Sequence, residues 1–261
     1  MRDHIDIFAA EILDHQEVAP EHFVMTLDAP SIAERSRPGQ FVMVRSLGTW
    51  DPLLPRAFSI YHADAEAGCI QIMYREVGRG TQRLRLHEPG QRVHLWGPLG
   101  THFPLPEGER VVLVGGGVGV PPLVYWATYM AQLTVPMDVI ALIGAAKQEF
   151  LVGLEHLRRA RAEVRVATDD GSAGHHGYVT ELLPELLEDG RASVYACGPM
   201  GMLAAVSRIA EAREVPTWLA LEAPMACGMG ACLGCTVPLR AGGFARVCTE
   251  GPVFPAASIA W

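Results

Sequence analysis

Four of the six cysteines in this chain of 261 residues lie close together near its C-terminal end, and this grouping restricts the fold more than any other feature. The spacing is C-x4-C-x2-C, then twelve residues and a last cysteine; the four are Cys227, Cys232, Cys235 and Cys248. Thiolates with this spacing ligate plant-type [2Fe–2S] clusters. Glycines between the first three cysteines tolerate the tight turns that let backbone N–H groups approach a cluster. The motif therefore predicts a short C-terminal unit that binds a [2Fe–2S] cluster.

Two other interpretations of these cysteines stay open. A structural zinc site also takes four thiolates, although zinc usually binds two C-x2–4-C pairs, whereas here three cysteines crowd one loop and one stands apart. Unligated thiols are the second alternative. Disulfides are not expected, because they are rare in a reducing cytosol. Cys69 lies in a strand pattern and is predicted to be a small buried hydrophobic residue.

Charge and hydropathy exclude several classes of protein. The net charge is −8 with acids and bases interspersed, and without a basic stripe nucleic-acid binding is not expected. No window contains the roughly 18 uninterrupted apolar residues that a membrane span requires. The first six residues include four charged or titratable side chains and lack an apolar secretory core. We therefore expect a cytoplasmic protein without a membrane span.

The pattern of predicted strands and helices changes near Pro106. Before Pro106, short β-branched and aromatic runs separated by Gly and Pro turns predict strands at 5–12, 23–27, 41–45, 58–61, 70–74 and 93–96, and a helix at 81–86. After it, predicted strands at 111–114, 138–143, 164–168, 193–196 and 217–221 alternate with helices at 123–132, 154–162, 180–187 and 200–211. Such alternation is typical of a parallel sheet. We predict an α+β multi-domain chain: an antiparallel β-barrel over residues 1–104, an α/β domain over 105–220 and a small cysteine-rich domain over 221–261.

A glycine loop connects the first strand of the α/β domain to its helix. The glycines are Gly115, Gly116, Gly117 and Gly119. Backbone N–H groups and the helix dipole hold phosphate at such a position. The loop departs from the G-x-G-x-x-G fingerprint, because Val120 occupies the third glycine position, and a tight turn without a ligand is the alternative.

A second candidate nucleotide contact is the segment Cys197, Gly198 and Pro199, which ends a later strand of the same sheet and opens a helix. Open α/β sheets bind ligands at the carboxyl ends of their strands. The segment strengthens the prediction of a dinucleotide site. From its position alone, Cys197 fits a core thiol and a place beside a nicotinamide equally well.

Several residues of the barrel are candidates for a phosphate or ring contact. They are Arg56, Ala57, Phe58, Ser59, Met73, Tyr74, Arg75, Gly80 and Thr81. The guanidinium of Arg56 is a planar fork that suits phosphate, and Gly80 and Thr81 begin a helix. Taken singly, such signals more often come from a surface arginine or a helix-capping threonine than from a binding site.

Together, these motifs resemble the ferredoxin–NADP⁺ reductase superfamily over nearly the whole chain. Within it, the chain is most similar to the electron-transfer subunits of class 1B dihydroorotate dehydrogenase. The flavin motif R-P-x-S of that family is matched by residues 56–59, with Ala57 in place of proline, and the cysteine motif is matched by residues 225–235. The segments 73–75, 80–81, 115–122, 168–172 and 195–202 also match.

The resemblance implies FAD in the barrel, with Arg56, Gly80 and Thr81 at its pyrophosphate and Ser59 and the 73–75 strand at its ribityl chain or ring. It implies NAD as substrate at the α/β domain. It also implies an FMN-containing dihydroorotate dehydrogenase catalytic subunit as partner, in a heterotetramer that serves pyrimidine biosynthesis.

A flavin is the natural converter between hydride, which carries two electrons, and an iron–sulfur cluster, which carries one. No catalytic acid or base is therefore named. Two alternatives stay open: a reductase subunit of a hydrogenase, an oxygenase or another multi-subunit flavoenzyme, and a non-catalytic, zinc-stabilised nucleotide-binding module. The choice between NAD and NADP is also open, because residues 145–147 offer no acidic partner for a ribose hydroxyl and Lys147 suits a phosphate.

Overall fold

The N-terminal strands close into a six-stranded antiparallel barrel. The computed structural model describes residues 5–48, 51–133 and 137–261. Residues 1–4, which belong to the segment predicted to lack a secretory core, lie outside the described residues. The strands are β1 (Asp6–Ala19), β2 (His22–Asp28), β3 (Phe41–Ser46), β4 (Arg56–Asp64), β5 (Cys69–Arg75) and β6 (Arg92–Leu99). Their order around the barrel is β1-β2-β5-β4-β3-β6. The predicted barrel is confirmed.

Alternating side chains explain the barrel interior. In β2, Phe23, Met25 and Leu27 are buried, while the side chains between them are half-buried. A period of two residues places every second side chain on the inner face. Strand β1 runs well past the predicted end at Ile12, because its polar second half still pairs with β2. Two short helices, α1 (Pro30–Arg35) and α2 (Arg79–Arg85), connect the strands.

The middle of the chain forms a mainly parallel sheet. Its strands are β7 (Arg110–Gly116), β8 (Asp138–Ala145), β9 (Glu163–Thr168), β10 (His175–His176), β11 (Ala192–Cys197) and β12 (Thr217–Ala220), and its helices are α3 (Pro121–Ala131), α4 (Leu154–Arg159) and α5 (Met200–Glu211). The strand order is β10-β9-β8-β7-β11-β12. Strands β8, β9 and β10 follow one another on one side of β7, whereas β11 and β12 lie on its other side, so the topological switch point lies between β7 and β11. Ligands bind at the carboxyl ends of strands at such a switch point. Within the described ranges, no helix is long and apolar enough to cross a membrane.

One predicted helix of this part is wrong. Residues 180–187 form two 3₁₀ turns, Val179–Leu182 and Pro184–Leu187, and not an α-helix. Pro184 has no N–H to donate to the carbonyl four residues earlier, so a regular helix is interrupted at that point. Cys69 also differs from expectation, because it is half-buried at the start of β5.

The cysteine-rich end contains a hairpin that the sequence analysis did not predict. Strands β13 (Thr236–Pro238) and β14 (Phe244–Arg246) pair with each other. Strand β15 (Val253–Pro255) then returns to the large sheet and pairs antiparallel with β12. The cysteine-rich segment is therefore inserted between two neighbouring strands of one sheet.

The barrel, the sheet and the cysteine-rich unit share buried contacts. One apolar cluster contains Met43 and Leu99 of the barrel, Val114 of β7, and Cys235 and Cys248. The predicted boundaries at 104/105 and 220/221 stay predictions, and β15 extends the sheet beyond the second of them.

A hydrogen bond between two titratable side chains joins the barrel to the α/β unit. The hydroxyl of Tyr61 in β4 lies 2.8 Å from Nδ1 of His156 in α4. Burial lowers the pKa of His156, and the charges of Arg159 and His62 lower it further against the opposing effect of Glu155. Neutral His156 is therefore favoured in the folded chain.

Acidification is expected to weaken this junction. An unfolded histidine has a pKa of about 6.5. The stability contributed by neutral His156 is therefore present above that value and falls as the pH drops through it toward the lower folded pKa. We expect the free energy of unfolding to fall from pH 7.5 to pH 5.5, and His156→Gln to reduce that fall. Denaturant unfolding at both pH values measures it. The control is His176→Gln in β10, which lies outside this junction, and an equal pH dependence in both variants would contradict the expectation.

Candidate functional site

A cleft of about 370 Å³ lies between the barrel, the glycine loop and the segment that precedes the cysteines. Every barrel residue predicted to contact a flavin lines this cleft: Arg56, Ala57, Phe58, Ser59, Met73, Tyr74, Arg75, Gly80 and Thr81. The fold brings them together because β4 begins, β5 ends and α2 begins at the same rim of the barrel. The structure therefore gathers the whole predicted set at one site.

Arg56 is held at this rim. Its Nη1 donates to the carbonyls of Leu54, at 2.7 Å, and Pro55, at 3.2 Å. The rest of the guanidinium lies against Gly80, where an added Cβ would stand 2.4 Å from Nε. Only glycine permits this approach. Arg56 is thereby fixed beside the start of α2, where an anion would meet both its charge and backbone N–H groups.

Thr81 has a structural role in the same turn. Its hydroxyl accepts hydrogen bonds from the N–H groups of Val77 and Gly78 and donates to the Gly78 carbonyl. The hydroxyl is thus occupied by the turn. What residues 79–81 can offer a ligand is mainly the backbone.

Two predicted contacts point their side chains elsewhere. The Tyr74 ring is buried in the barrel, and its hydroxyl lies 2.8 Å from Nε2 of His15. Arg75 donates to Glu21, and its guanidinium stands 5.3 Å from the centre of the Phe150 ring. The functional groups of both side chains are therefore engaged away from the cleft, although both residues line it.

Residues 221–225 form the opposite wall of the cleft. One of them, Glu222, was missed by the sequence analysis. Glu222 is exposed at the cleft, yet the surrounding protein desolvates its carboxyl and raises its pKa. Its charge also acts on the buried thiol of Cys197, whose pKa burial raises well above its usual value. The available signal was an acidic residue directly after the last parallel strand, at the ligand-binding edge of the sheet.

The glycine loop lies at the switch point. Gly115 of β7 is opposite Cys197 of β11. An added Cβ on Gly119 would stand 2.2 Å from the Cys197 carbonyl oxygen, and one on Gly116 would stand 3.0 Å from Cδ of Pro199. Each of these glycines allows the close approach of another chain segment. Gly117, with φ +54°, turns the chain between them.

The structure also brings Gly198 next to the loop, where its missing side chain leaves room for Gly116. All the residues predicted for nucleotide binding thus meet at the ends of β7 and β11. Cys197 is buried in the core beneath them, as expected of a core thiol. Its place beside a nicotinamide stays a prediction.

The four cysteines form two pairs. The sulfur atoms of Cys227 and Cys232 are 3.4 Å apart, and the N–H of Cys248 donates to the sulfur of Cys235 at 3.4 Å. The hairpin explains the second pair, because Cys235 directly precedes β13 and Cys248 follows β14 after one residue. In the described part of the chain, no three His, Cys, Asp or Glu side chains are grouped to hold one metal ion. Two thiolates for each of two irons is the arrangement of a [2Fe–2S] cluster.

Backbone N–H groups surround the first of these cysteines. Burial opposes ionisation of Cys227, but hydrogen bonds from the backbone of Cys232, Met229 and Ala231 outweigh it and lower the thiol pKa to about 7. Burial, together with Cys235, raises the pKa of Cys248 to about 12. Cys232 is exposed, whereas Cys235 and Cys248 are buried. The donors around Cys227 fit a thiolate ligand, and the residues present therefore fit the cluster.

The cysteine loop packs directly on the barrel. The indole N–H of Trp96 donates to the Cys227 carbonyl at 3.3 Å. Gly228 lies against Met43, where an added Cβ would stand 2.5 Å from Cγ. Met225, two residues before Cys227, lines the cleft. The cleft and the cysteine site are therefore neighbours joined by one short segment.

Comparison with known proteins identifies the family. The chain is 39% identical over 260 residues to the dihydroorotate dehydrogenase B (NAD(+)) electron transfer subunit of Desulforamulus reducens, covering 98% of each chain. It belongs to the family of dihydroorotate dehydrogenase B electron transfer subunits. The Bacillus caldolyticus subunit is 40% identical over 247 residues, covering 93% of this chain and 94% of that one. The predicted resemblance is confirmed.

Domain and structure comparisons agree with membership of the electron transfer subunit family. Residues 222–260 match the iron–sulfur cluster binding domain of dihydroorotate dehydrogenase B, and residues 113–208 match the oxidoreductase NAD-binding domain. An NADH-dependent reduced ferredoxin–NADP oxidoreductase superimposes with a TM-score of 0.86 at 27% identity, over 97% of this chain and 90% of that one. The ferredoxin reductase of carbazole 1,9a-dioxygenase, at 23% identity and a TM-score of 0.72 over 83% and 68%, shows the fold alone. The predicted fold class is confirmed.

Proposed function

We propose that this chain is the electron-transfer subunit of an NAD-dependent dihydroorotate dehydrogenase of pyrimidine biosynthesis. It would move electrons between FMN of a catalytic partner and NAD, through a [2Fe–2S] cluster and FAD. The observation that carries the proposal is the common segment 221–225, which forms one wall of the cleft and leads directly into the four cysteines. A chain that binds FAD and a cluster at these places holds both next to one short segment.

Bound FAD would exchange hydride with NAD, and a bound cluster would exchange single electrons with the partner. The residues of this chain supply binding and orientation. Arg56 and the backbone at Gly80 and Thr81 would hold the FAD pyrophosphate, and Ser59 with the 73–75 strand would contact the ribityl chain or ring. The engagement of the Tyr74 and Arg75 side chains elsewhere assigns that contact mainly to the backbone.

The NAD substrate would bind at the switch point of the sheet. Gly115, Gly116, Gly117 and Gly119 would present backbone N–H groups to its phosphates, as a strand-to-helix glycine loop does. Cys197, Gly198 and Pro199 would form the wall next to the nicotinamide. NAD in preference to NADP is supported by the names of the relatives, which specify NAD(+).

Cys227, Cys232, Cys235 and Cys248 would ligate the cluster. The exposed Cys232 marks the side from which a partner reaches the centre, and the buried pair anchors it to the core. A cytoplasmic heterotetramer with the FMN-containing catalytic subunit remains part of the proposal. A zinc-stabilised module is disfavoured by the match to an iron–sulfur domain over residues 222–260.

Reconstitution tests the proposal. Mixing the purified chain with an FMN-only dihydroorotate dehydrogenase subunit is expected to give NAD-coupled oxidation of dihydroorotate, which neither protein performs alone. Production of NADH is followed by its absorbance, and flavin and iron content are determined on the same sample. A colourless chain with stoichiometric zinc would refute the proposal. A coloured chain that reduces another acceptor but never couples to dihydroorotate would support the oxygenase or hydrogenase alternative.

A further inference from the structure

An ion pair holds the cysteine loop from the side of the hairpin. Arg246 is the last residue of β14, and its backbone N–H and Nε donate to Oε2 of Glu250 at 2.7 and 3.0 Å, while Nη2 donates to Oε1. The two-armed contact with the Glu250 carboxylate fixes the plane of the guanidinium.

The remaining arm of the fork reaches the cysteine loop. Nη1 of Arg246 donates to the carbonyl of Gly230 at 3.2 Å. Gly230 has φ +80°, and an added Cβ would stand 2.8 Å from Cγ2 of Thr249 and 3.2 Å from Nη1 of Arg246. This position therefore requires glycine both for its conformation and for the close approach of the two side chains.

The contact at Gly230 also sets the direction of an N–H group. The carbonyl of Gly230 and the N–H of Ala231 belong to one peptide unit, and in a trans peptide they point in opposite directions. The N–H of Ala231 is directed toward the Cys227 sulfur, beside the N–H of Cys232, which donates to that sulfur at 3.4 Å. Fixing this carbonyl therefore fixes a donor to a candidate cluster ligand.

We propose that Arg246 is a positioning residue for the redox centre: it holds the Gly230 carbonyl, directs the Ala231 N–H to Cys227 and thereby raises the reduction potential of the cluster. This inference rests on the proposed function. One-electron reduction adds negative charge to the centre, and hydrogen bonds to its sulfur atoms stabilise the reduced form. Arg246 binds the Glu250 carboxylate through Nε and Nη2 and the Gly230 carbonyl through Nη1, a fixed planar arrangement that the compact, rotatable ammonium of lysine does not reproduce.

Thr249 is the other side chain that lies close to Gly230. Its hydroxyl is buried and makes no hydrogen bond within the described residues. Both Glu250 oxygens already accept from Arg246. Thr249 thus packs against Gly230 and leaves the link to the loop to Arg246.

The test uses the full chain with its cluster and measures the midpoint potential by redox titration with an EPR readout. For Arg246→Gln we expect about a tenfold fall in the ratio of reduced to oxidised cluster at the wild-type midpoint, which is about 59 mV for one electron. Arg246→Lys keeps the charge and loses the fork, so at least half of that shift is expected. A wild-type potential in Arg246→Lys would assign the effect to charge alone and overturn the proposal.

The matched control is Arg240→Gln. Arg240 forms a similar two-armed pair with Glu211 on α5, and its loss changes the net charge equally. Its potential is expected to equal that of the wild type, and an equal fall would overturn the proposal. If Arg246→Gln does not load iron, Arg246→Lys decides alone. A wild-type chain without iron would refute the proposed function, whereas a loaded wild type with unmoved variants refutes only this inference.

Discussion

Cys232→Ser is expected to stop electron transfer between the partner and NAD while leaving reduction of an artificial two-electron acceptor by NADH intact. The expected loss of coupling is about a hundredfold or more, because loss of a ligand exceeds the 10–100-fold cost typical of outer-shell contacts. Cys232 is exposed, so the substitution removes a thiolate without disturbing the core. Coupled turnover, iron content and the acceptor assay are measured on one preparation.

Cys69→Ser is the control for this experiment. Cys69 is a half-buried thiol at the start of β5, outside the cysteine loop. We expect it to keep both coupling and iron. Full coupling in Cys232→Ser without a cluster would show that electrons reach the partner by another route. Loss of the acceptor assay as well would show that the variant had damaged the flavin cleft.

Gly119→Ala is expected to have the second large effect. Its new Cβ would stand 2.2 Å from the carbonyl oxygen and 2.4 Å from the carbonyl carbon of Cys197. These are backbone atoms of a central strand, which cannot turn aside as a flexible side chain can. Overpacking a core costs about 1–3 kcal/mol and occasionally more. We expect a loss of unfolding free energy at the top of that range, measured by denaturant titration, and a higher KM for NADH.

Gly201→Ala provides the matched glycine control. Gly201 lies in the first turn of α5, and an added Cβ there meets nothing within 4 Å. Alanine in a helix is about 0.5–1 kcal/mol more favourable than glycine. The variant should therefore be as stable as the wild type or more so, with an unchanged KM. A Gly119→Ala chain that behaves in the same way would contradict the close packing of the glycine loop against the end of β11.

The sequence alone predicted those features for which one short residue pattern meets one physical requirement. The cysteine spacing predicted the four candidate ligands, and the alternation of strands and helices predicted the parallel sheet. Each candidate flavin residue was a weak signal by itself. The structure brings these residues together because β4 begins, β5 ends and α2 begins at one rim of the barrel. That convergence is a property of barrel closure, which no local window of sequence contains.

The features that were missed depend on pairing between distant or very short segments. The hairpin of β13 and β14 has only three residues in each strand, although the Gly242–Gly243 pair at its turn was a usable signal. Strand β15 is also short and pairs with a partner that lies beyond the whole cysteine segment. Glu222 belongs to no sequence motif, and only the fold shows that it lines the cleft wall.

The return of β15 to the sheet gives the cysteine segment two fixed ends. Leu221 donates to the Pro252 carbonyl at 2.9 Å, which closes the insertion at its base, and Thr101 of the barrel donates to the Gly251 carbonyl. A redox carrier on a flexible tether must find its donor by diffusion in each turnover. Here folding places the cysteine segment next to the cleft once, and the entropic cost of ordering that segment is part of the free energy of folding. The number of encounters needed for a catalytic cycle is thereby reduced to those with NAD and the partner.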